Sequence, residues 1–146
     1  MLTGVQNRNG LMENPEELEQ QPFSTGVVFG DVNGLKKEND ENGHVAGDRL
    51  LRRAAAVMRD FWGDDCVYRA GGDEFVALVP NICECTFYRK FQEFYDMMKG
   101  KTDISVAYGA EWAADGKSLL AAFGRADRKM YEDKKTFYLQ SAGEEY

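Results

Sequence analysis

Residues 66–69 (CVYR) and 74–79 (EFVALV) are β-branched and aromatic runs separated only by Ala70-Gly71-Gly72-Asp73. A gap this short with paired glycines predicts a β-hairpin, because glycine takes the backbone conformations of tight turns without steric cost. A lone hairpin is marginal in water, so the rest of the chain must supply further strands and a covering layer. Thr25–Val32 (TGVVFGDV) predicts a strand that runs into the turn residues Asn33-Gly34, and 104–112 predicts another. Three helices are predicted from apolar residues at helical spacing. The first covers 46–61 with Leu50, Leu51, Ala54, Val57, Met58 and Phe61 on its apolar stripe. The second runs from a Thr86 cap to Met98 with Phe87, Phe91, Phe94, Tyr95 and Met98 on one face. The third is capped by Ser118 and covers 119–135, with Leu120, Phe123, Ala126, Met130 and Tyr131 inward. The acidic stretch 12–22, ending in Pro22, predicts a short helix and a connection.

The first six of these elements follow the order β-α-β-β-α-β. That is the pattern of a ferredoxin-like α/β (α+β) fold, a central antiparallel sheet flanked by helices. In this topology the first and third strands lie side by side and antiparallel in the middle of the sheet. The end of Thr25–Val32 then sits beside the start of 74–79, which brings Asp31 next to Asp73 and Glu74.

Carboxylates converging beside a glycine turn make a site for a hard cation. Mg²⁺ takes oxygen ligands and keeps several waters, so one or two carboxylates plus substrate phosphates suffice. The carbonyl of Val32 can add a ligand, and Gly71-Gly72 leave room for a phosphate or nucleotide against the main chain. A lone Gly-Gly-Asp-Glu reads better as a hairpin with solvated acidic turn residues, and it is the convergence with Asp31 that favours a site. The net charge of −7 argues against non-specific binding to nucleic acid, so a phosphate-bearing ligand needs local cations or a metal. Cys66, Cys83 and Cys85 are an odd set that builds no disulfide framework. Their one-residue spacing at 83–85, even with His44, is poor for zinc. No apolar run approaches the roughly 18–20 residues of a membrane span, and no signal peptide opens the 146-residue chain. The expectation is one acidic cytoplasmic domain with no membrane contact of its own.

The segment Arg69-Ala70-Gly71-Gly72-Asp73-Glu74-Phe75 resembles the signature of the GGDEF family, the diguanylate cyclases. Asp31-Val32-Asn33-Gly34-Leu35-Lys36 resembles the family's Asp-x-Asp-x-Phe-Lys segment. Asn39-Asp40, Gly43-His44 and Gly47-Asp48 resemble its Asn-Asp…Gly-His-x-x-Gly-Asp run. Leu2-Thr3-Gly4-Val5-Gln6-Asn7-Arg8 resembles the opening motif, and Ala126-Asp127 through Lys134 the closing helix. These motifs stand in order across residues 2–134.

The resemblance implies a palm-type nucleotidyl cyclase sheet and condensation of two GTP into cyclic di-GMP with release of two pyrophosphates. It implies Asp31, the Val32 carbonyl and Glu74 as ligands of Mg²⁺ (or Mn²⁺) in a two-metal site, with Asp73 a secondary acid in the same turn. It makes Asn39 and Asp48 readers of guanine, whose N1–H and N2–H₂ donate to a carboxylate. On residue type alone, Asp48 opening a helix reads first as an N-cap. Lys36 and Lys134 would meet phosphates, although a lysine by itself is first of all a solvated surface residue. His44 reads as a turn residue. The implied partners are GTP, a second such domain in a catalytic homodimer, and an upstream sensory module. On that reading the chain is a fragment of a longer protein, itself free to be membrane-anchored.

Asn33, Leu35 and Tyr138 depart from the usual Asp, Phe and Arg of the family pattern. The product-inhibition motif Arg-x-x-Asp falls on Trp62-Gly63-Asp64-Asp65, so Asp65 is retained and the Arg is replaced by Trp62. These departures leave an alternative of another class, a degenerate domain that binds GTP and regulates a neighbour without turnover. A pure interaction module would show no Mg²⁺-dependent GTP binding.

Overall fold

The computed structural model describes residues 6–7, 19–101 and 103–144, with side chains placed over 19–101 and 103–139. The segment predicted as a short helix over 12–22 lies largely outside these residues. The described elements are strand β1 (Gln6–Asn7), β2 (Thr25–Val32), helix α1 (Leu35–Asn42), α2 (His44–Trp62), β3 (Val67–Arg69), β4 (Glu74–Pro80), α3 (Glu84–Lys99), β5 (Val106–Ala113) and α4 (Gly116–Glu144). The sheet order is β1-β3-β4-β2-β5. Strand β2 is antiparallel to both β4 and β5, β3 is antiparallel to β4, and only β1–β3 is parallel. Leaving β1 aside, this is the expected ferredoxin-like arrangement.

Alternation along the strands divides the core into two layers. Val28, Val32, Phe75, Ala77, Tyr108 and Ala110 pack under α2 and α3, against Leu51, Ala54, Met58, Phe87 and Phe94. Val27, Phe29, Val76, Leu78 and Ala107 face the other way, against Leu119, Ala122, Phe123, Ala126 and Met130 of α4. By the same alternation, Asp31 and Glu74 belong to the α4 side. Helix α4 lies very close to the sheet at Gly109, where an added Cβ would sit 2.2 Å from the Ala126 carbonyl oxygen and 2.3 Å from the Met130 nitrogen.

Several boundaries differ from the sequence reading, each for a local reason. Helix α1 was not foreseen, because LKKENDEN buries no residue and so carries no apolar stripe. Residues 64–66 form a 3₁₀ turn, so β3 starts at Val67 rather than Cys66. Helix α3 starts earlier than a Thr86 cap would allow. Its N-cap is Cys83, whose thiol donates to Thr86 Oγ1 at 2.9 Å. Strand β5 begins at Val106 rather than at residue 104. Asp115, not Ser118, caps α4. Its Oδ1 accepts the Ser118 N–H at 3.0 Å, and Ser118 Oγ reaches back to the Asp115 N–H at 3.4 Å, a reciprocal capping box. On α4, Leu120 and Tyr131 face solvent, while Leu119 and Ala122 take the inward places.

The free edge of β5 is covered by side chains. The Tyr108 N–H donates to Asp133 Oδ2 at 3.0 Å, and the Trp112 N–H donates to the Tyr88 hydroxyl at 3.1 Å. Lys129 Nζ donates to the Ala110 carbonyl at 3.3 Å. Among the described residues, no helix is long and apolar enough to cross a membrane.

The packing predicts opposite outcomes for two glycines. Gly109→Ala drives a methyl into the α4 backbone and is expected to cost about 3 kcal/mol. Gly124, exposed on α4 with open space around it, should give a gain of about 0.5–1 kcal/mol on Gly124→Ala. Thermal or urea melts of both variants check the pair, and a neutral Gly109→Ala contradicts the close approach.

Candidate active site

The site forms where β2 ends and β4 begins. The antiparallel register sets Asp31 directly opposite Glu74, and the Val32 N–H donates to the Asp73 carbonyl at 3.2 Å. The hairpin turn is braced by its own backbone and by one side chain. Ala70 N–H donates to the Glu74 carbonyl at 2.9 Å, Arg69 Nε to the Gly71 carbonyl at 3.0 Å, and Arg69 Nη2 to the Gly72 carbonyl. Gly71 and Gly72 are exposed at the tip. The bracing role of Arg69 was missed from the sequence, although an arginine just ahead of a Gly-Gly turn, with loop carbonyls in reach, is a usable signal.

Asp31 is 7% exposed. Burial pushes its carboxyl up from 3.8 to about 6; the Lys134 ammonium offsets part of the rise, and the Asp73 carboxylate adds to it. Lys134 Nζ lies 3.1 Å from Asp31 Oδ1 and donates to the Val32 carbonyl at 3.1 Å. The contact with Asp31 is an ion pair that lacks hydrogen-bond geometry, so Oδ1 is buried with no hydrogen bond. Sequence reasoning assigned Lys134 to phosphates; in the structure it lies on two of the expected metal ligands. The helix stripe explains its place, since Ala122, Ala126 and Met130 point at the sheet and Lys134 is one turn further on.

Glu74, Asp31 and the Val32 carbonyl form an all-oxygen donor set that includes a buried carboxylate oxygen without a hydrogen bond. That chemistry fits Mg²⁺ or Mn²⁺ and does not favour zinc. Among the described residues, no three His, Cys, Asp or Glu side chains cluster to hold an ion by themselves, so substrate or water oxygens must complete the shell.

The remaining expected residues lie on the first two helices. Asn39 of α1 rests against α2, where a Cβ on Gly47 would fall 1.7 Å from Asn39 Oδ1. This packing sets Asn39 beside the turn that carries the half-buried Asp48. Lys36 is exposed and lines a cleft of about 530 Å³ with Gly34, Lys37, Phe137 and Tyr138. Asn33 is held away from the carboxylates, with Nδ2 donating to Ser105 Oγ at 3.0 Å. Trp62 is 6% exposed and packs on Phe61, Phe87 and Phe94, with ring centroids 4.8, 5.9 and 5.6 Å away. Asp65 is exposed.

The family model described as diguanylate cyclase, GGDEF domain, matches residues 1–137. Diguanylate cyclase DgcZ of Escherichia coli (strain K12) is 31% identical, covering 93% of this chain and 50% of its own. Cyclic di-GMP phosphodiesterase PdeR of the same strain is 36% identical, covering 92% of this chain and 22% of its own. The chain thus spans half or less of the length of these curated relatives. The FimX GGDEF domain from Pseudomonas aeruginosa superposes with TM-score 0.78 at 19% identity, covering 92% of each chain. The GGDEF domain of DgcB from Caulobacter crescentus, solved in complex with c-di-GMP, superposes with TM-score 0.77 at 22% identity, covering 93% of this chain and 89% of that one. At these identities the likeness is one of fold.

The buried acid carries a pH signature. Its folded value lies above its unfolded one, so the folded chain keeps an extra proton between about pH 4 and 6. Stability from this group therefore falls as pH rises through that window. By pH 7 the buried charge costs roughly 3 kcal/mol. Asp31→Asn should raise the metal-free melting temperature at pH 7.5, with the gain shrinking toward pH 4; a variant that melts lower at pH 7.5 contradicts this account.

Proposed function

Because this chain belongs to the GGDEF family, we propose that it is a diguanylate cyclase domain, joining two GTP into cyclic di-GMP and two pyrophosphates. The observation that carries the reading is the register that pairs Asp31 with Glu74 beside the Val32 carbonyl. These three groups would hold the divalent metal, Mg²⁺ or Mn²⁺, which when bound supplies Lewis-acid charge to the reacting oxygens. Asp73 is a secondary acid in the hairpin turn beside Glu74. The ribose 3′-hydroxyl of one GTP attacks the α-phosphorus of the other and gives up its proton to water. A P–O bond forms as the bond from the α-phosphorus to the bridging oxygen breaks and pyrophosphate leaves, and repetition of the step closes the ring.

The chain's own residues bind and orient. Gly71 and Gly72 present no side chain where the phosphates approach. Lys36 and Lys134 meet phosphate oxygens as point charges. Asn39 and Asp48 read guanine, with the Asp48 carboxylate accepting from N1–H and N2–H₂, donors that adenine lacks. One such domain holds one nucleotide, so the reaction needs a second copy facing the first. In the whole protein, the proposed setting is a cytoplasm-facing domain driven by an upstream sensory module.

A second reading, GTP binding without turnover, is favoured by two departures from the family pattern, Asn33 and Tyr138, the latter lining a cleft with Lys36, Lys37, Asp40 and Glu41. Incubation with GTP and Mg²⁺ followed by product identification separates the two. Cyclic di-GMP is the expected product, and Glu74→Gln should abolish its formation while leaving the melting curve and circular dichroism unchanged. Near-normal turnover in Glu74→Gln would remove Glu74 from the site.

Feedback is expected to be weak. Trp62 belongs to the core, so the motif keeps the Asp65 carboxylate to face a dianionic product but has no arginine fork at position 62 to bind it. Cyclic di-GMP titrated into an assay at saturating GTP should inhibit little, and potent inhibition that GTP cannot relieve would refute this.

A further inference from the structure

The Lys134 ammonium already stands where a cation's charge is needed. It touches two of the three oxygen donors assigned above to the metal, Asp31 Oδ1 and the Val32 carbonyl, each at 3.1 Å. Both side chains are largely covered, 19% exposed for Lys134 and 10% for Asp31, so solvent screens the pair poorly. The Tyr138 ring centroid lies 5.6 Å from Nζ. Helix α4 is anchored one turn earlier by the buried Met130. A flexible four-carbon stem nevertheless lets the ammonium leave without moving the helix.

We propose that Lys134 is a resident counter-ion that competes with the divalent ion for Asp31 and the Val32 carbonyl, and that its displacement delivers the ammonium to the substrate's phosphates. The proposal rests on the metal reading of Asp31, Val32 and Glu74. Two cations cannot share the same two oxygens at contact distance, because their repulsion is large in a covered site. The ion therefore binds the bare chain weakly. A triphosphate strengthens that binding by giving the displaced ammonium a new partner, and by linkage the ion strengthens nucleotide binding equally. One side chain thus couples the two ligands, so that neither is held firmly without the other.

The test uses Mn²⁺ without nucleotide, titrated calorimetrically into the wild-type chain, Lys134→Met, Lys134→Gln and Asp31→Asn, alongside melting curves in chelator. Both lysine variants should bind Mn²⁺ about tenfold more tightly than wild type, the scale of one lost charged hydrogen bond. In chelator, Lys134→Met should melt lower than wild type, because Asp31 loses its counter-charge. The same change made in the Asp31→Asn background should cost much less. Mn²⁺ binding that depends on Asp31 but is unchanged or weaker in the lysine variants overturns the proposal and leaves the metal reading standing. Additive melting shifts for Asp31 and Lys134 overturn it as well. Mn²⁺ binding that is absent from the lysine variants as well as from wild type, or indifferent to Asp31→Asn, removes the metal reading and the proposal together.

Discussion

Helix α4 can bring a charged side chain over the end of β2 only because the sheet leaves room for its backbone at Gly109. From that contact outward, two periodicities run in step. Along β2, alternate residues Val27, Phe29 and Asp31 face the helix; along α4, Ala122, Ala126, Met130 and Lys134 face the sheet. Both stripes are apolar for most of their length and turn ionic at the same end, so the acid and the lysine meet under cover. A shift of one residue in the β2 register would turn Asp31 to the α2–α3 side and dissolve the arrangement.

The meeting point is also where the fold gives up stability. A desolvated carboxylate is disfavoured as an ion, and Asp31 is pushed up to about 6 by burial despite the lysine, with the Asp73 carboxylate adding to the rise. The two hydrophobic layers bear it, with Phe29 and Phe123 edge to face at 5.8 Å on one side and the Trp62–Phe94 cluster on the other. Asn33, tied to Ser105, holds the strand end in place beside the acid. A desolvated acid where an apolar residue would pack more stably breaks a local rule of the kind that proteins break at functional sites.

Much of this was legible in the residues. The hairpin, the central strand and the three amphipathic helices carry strong local signals, and the ferredoxin-like order alone brought Asp31 beside Glu74. What escaped the reading lacks a one-dimensional signature. The polar helix α1 is held by what flanks it, not by an apolar face of its own. Cys83 lost to the better cap residue Thr86 downstream, while Asp115 and Ser118 are equally good caps and only the actual start of the helix chooses between them. Leu120 and Tyr131 fit a helical stripe as well as Leu119 and Ala122, and only the actual crossing of helix on sheet chooses between them. The pairing of Lys134 with Asp31 joins residues 103 positions apart, and nothing in the spacing announces it.

The side chains that cover β5 have a consequence for how the molecule meets others. A sheet that ends in open N–H and C=O groups is a template on which further strands can polymerise. Here Tyr88, Lys129 and Asp133 bond to the outward groups of Trp112, Ala110 and Tyr108, and they reach in from two helices on opposite sides of the strand. An incoming strand would have to strip away three bonds and pry apart two helices before its first ladder bond could form. Contact between copies is thereby diverted from that edge to helix faces and loops, surfaces that can meet and part without a shared ladder of backbone bonds.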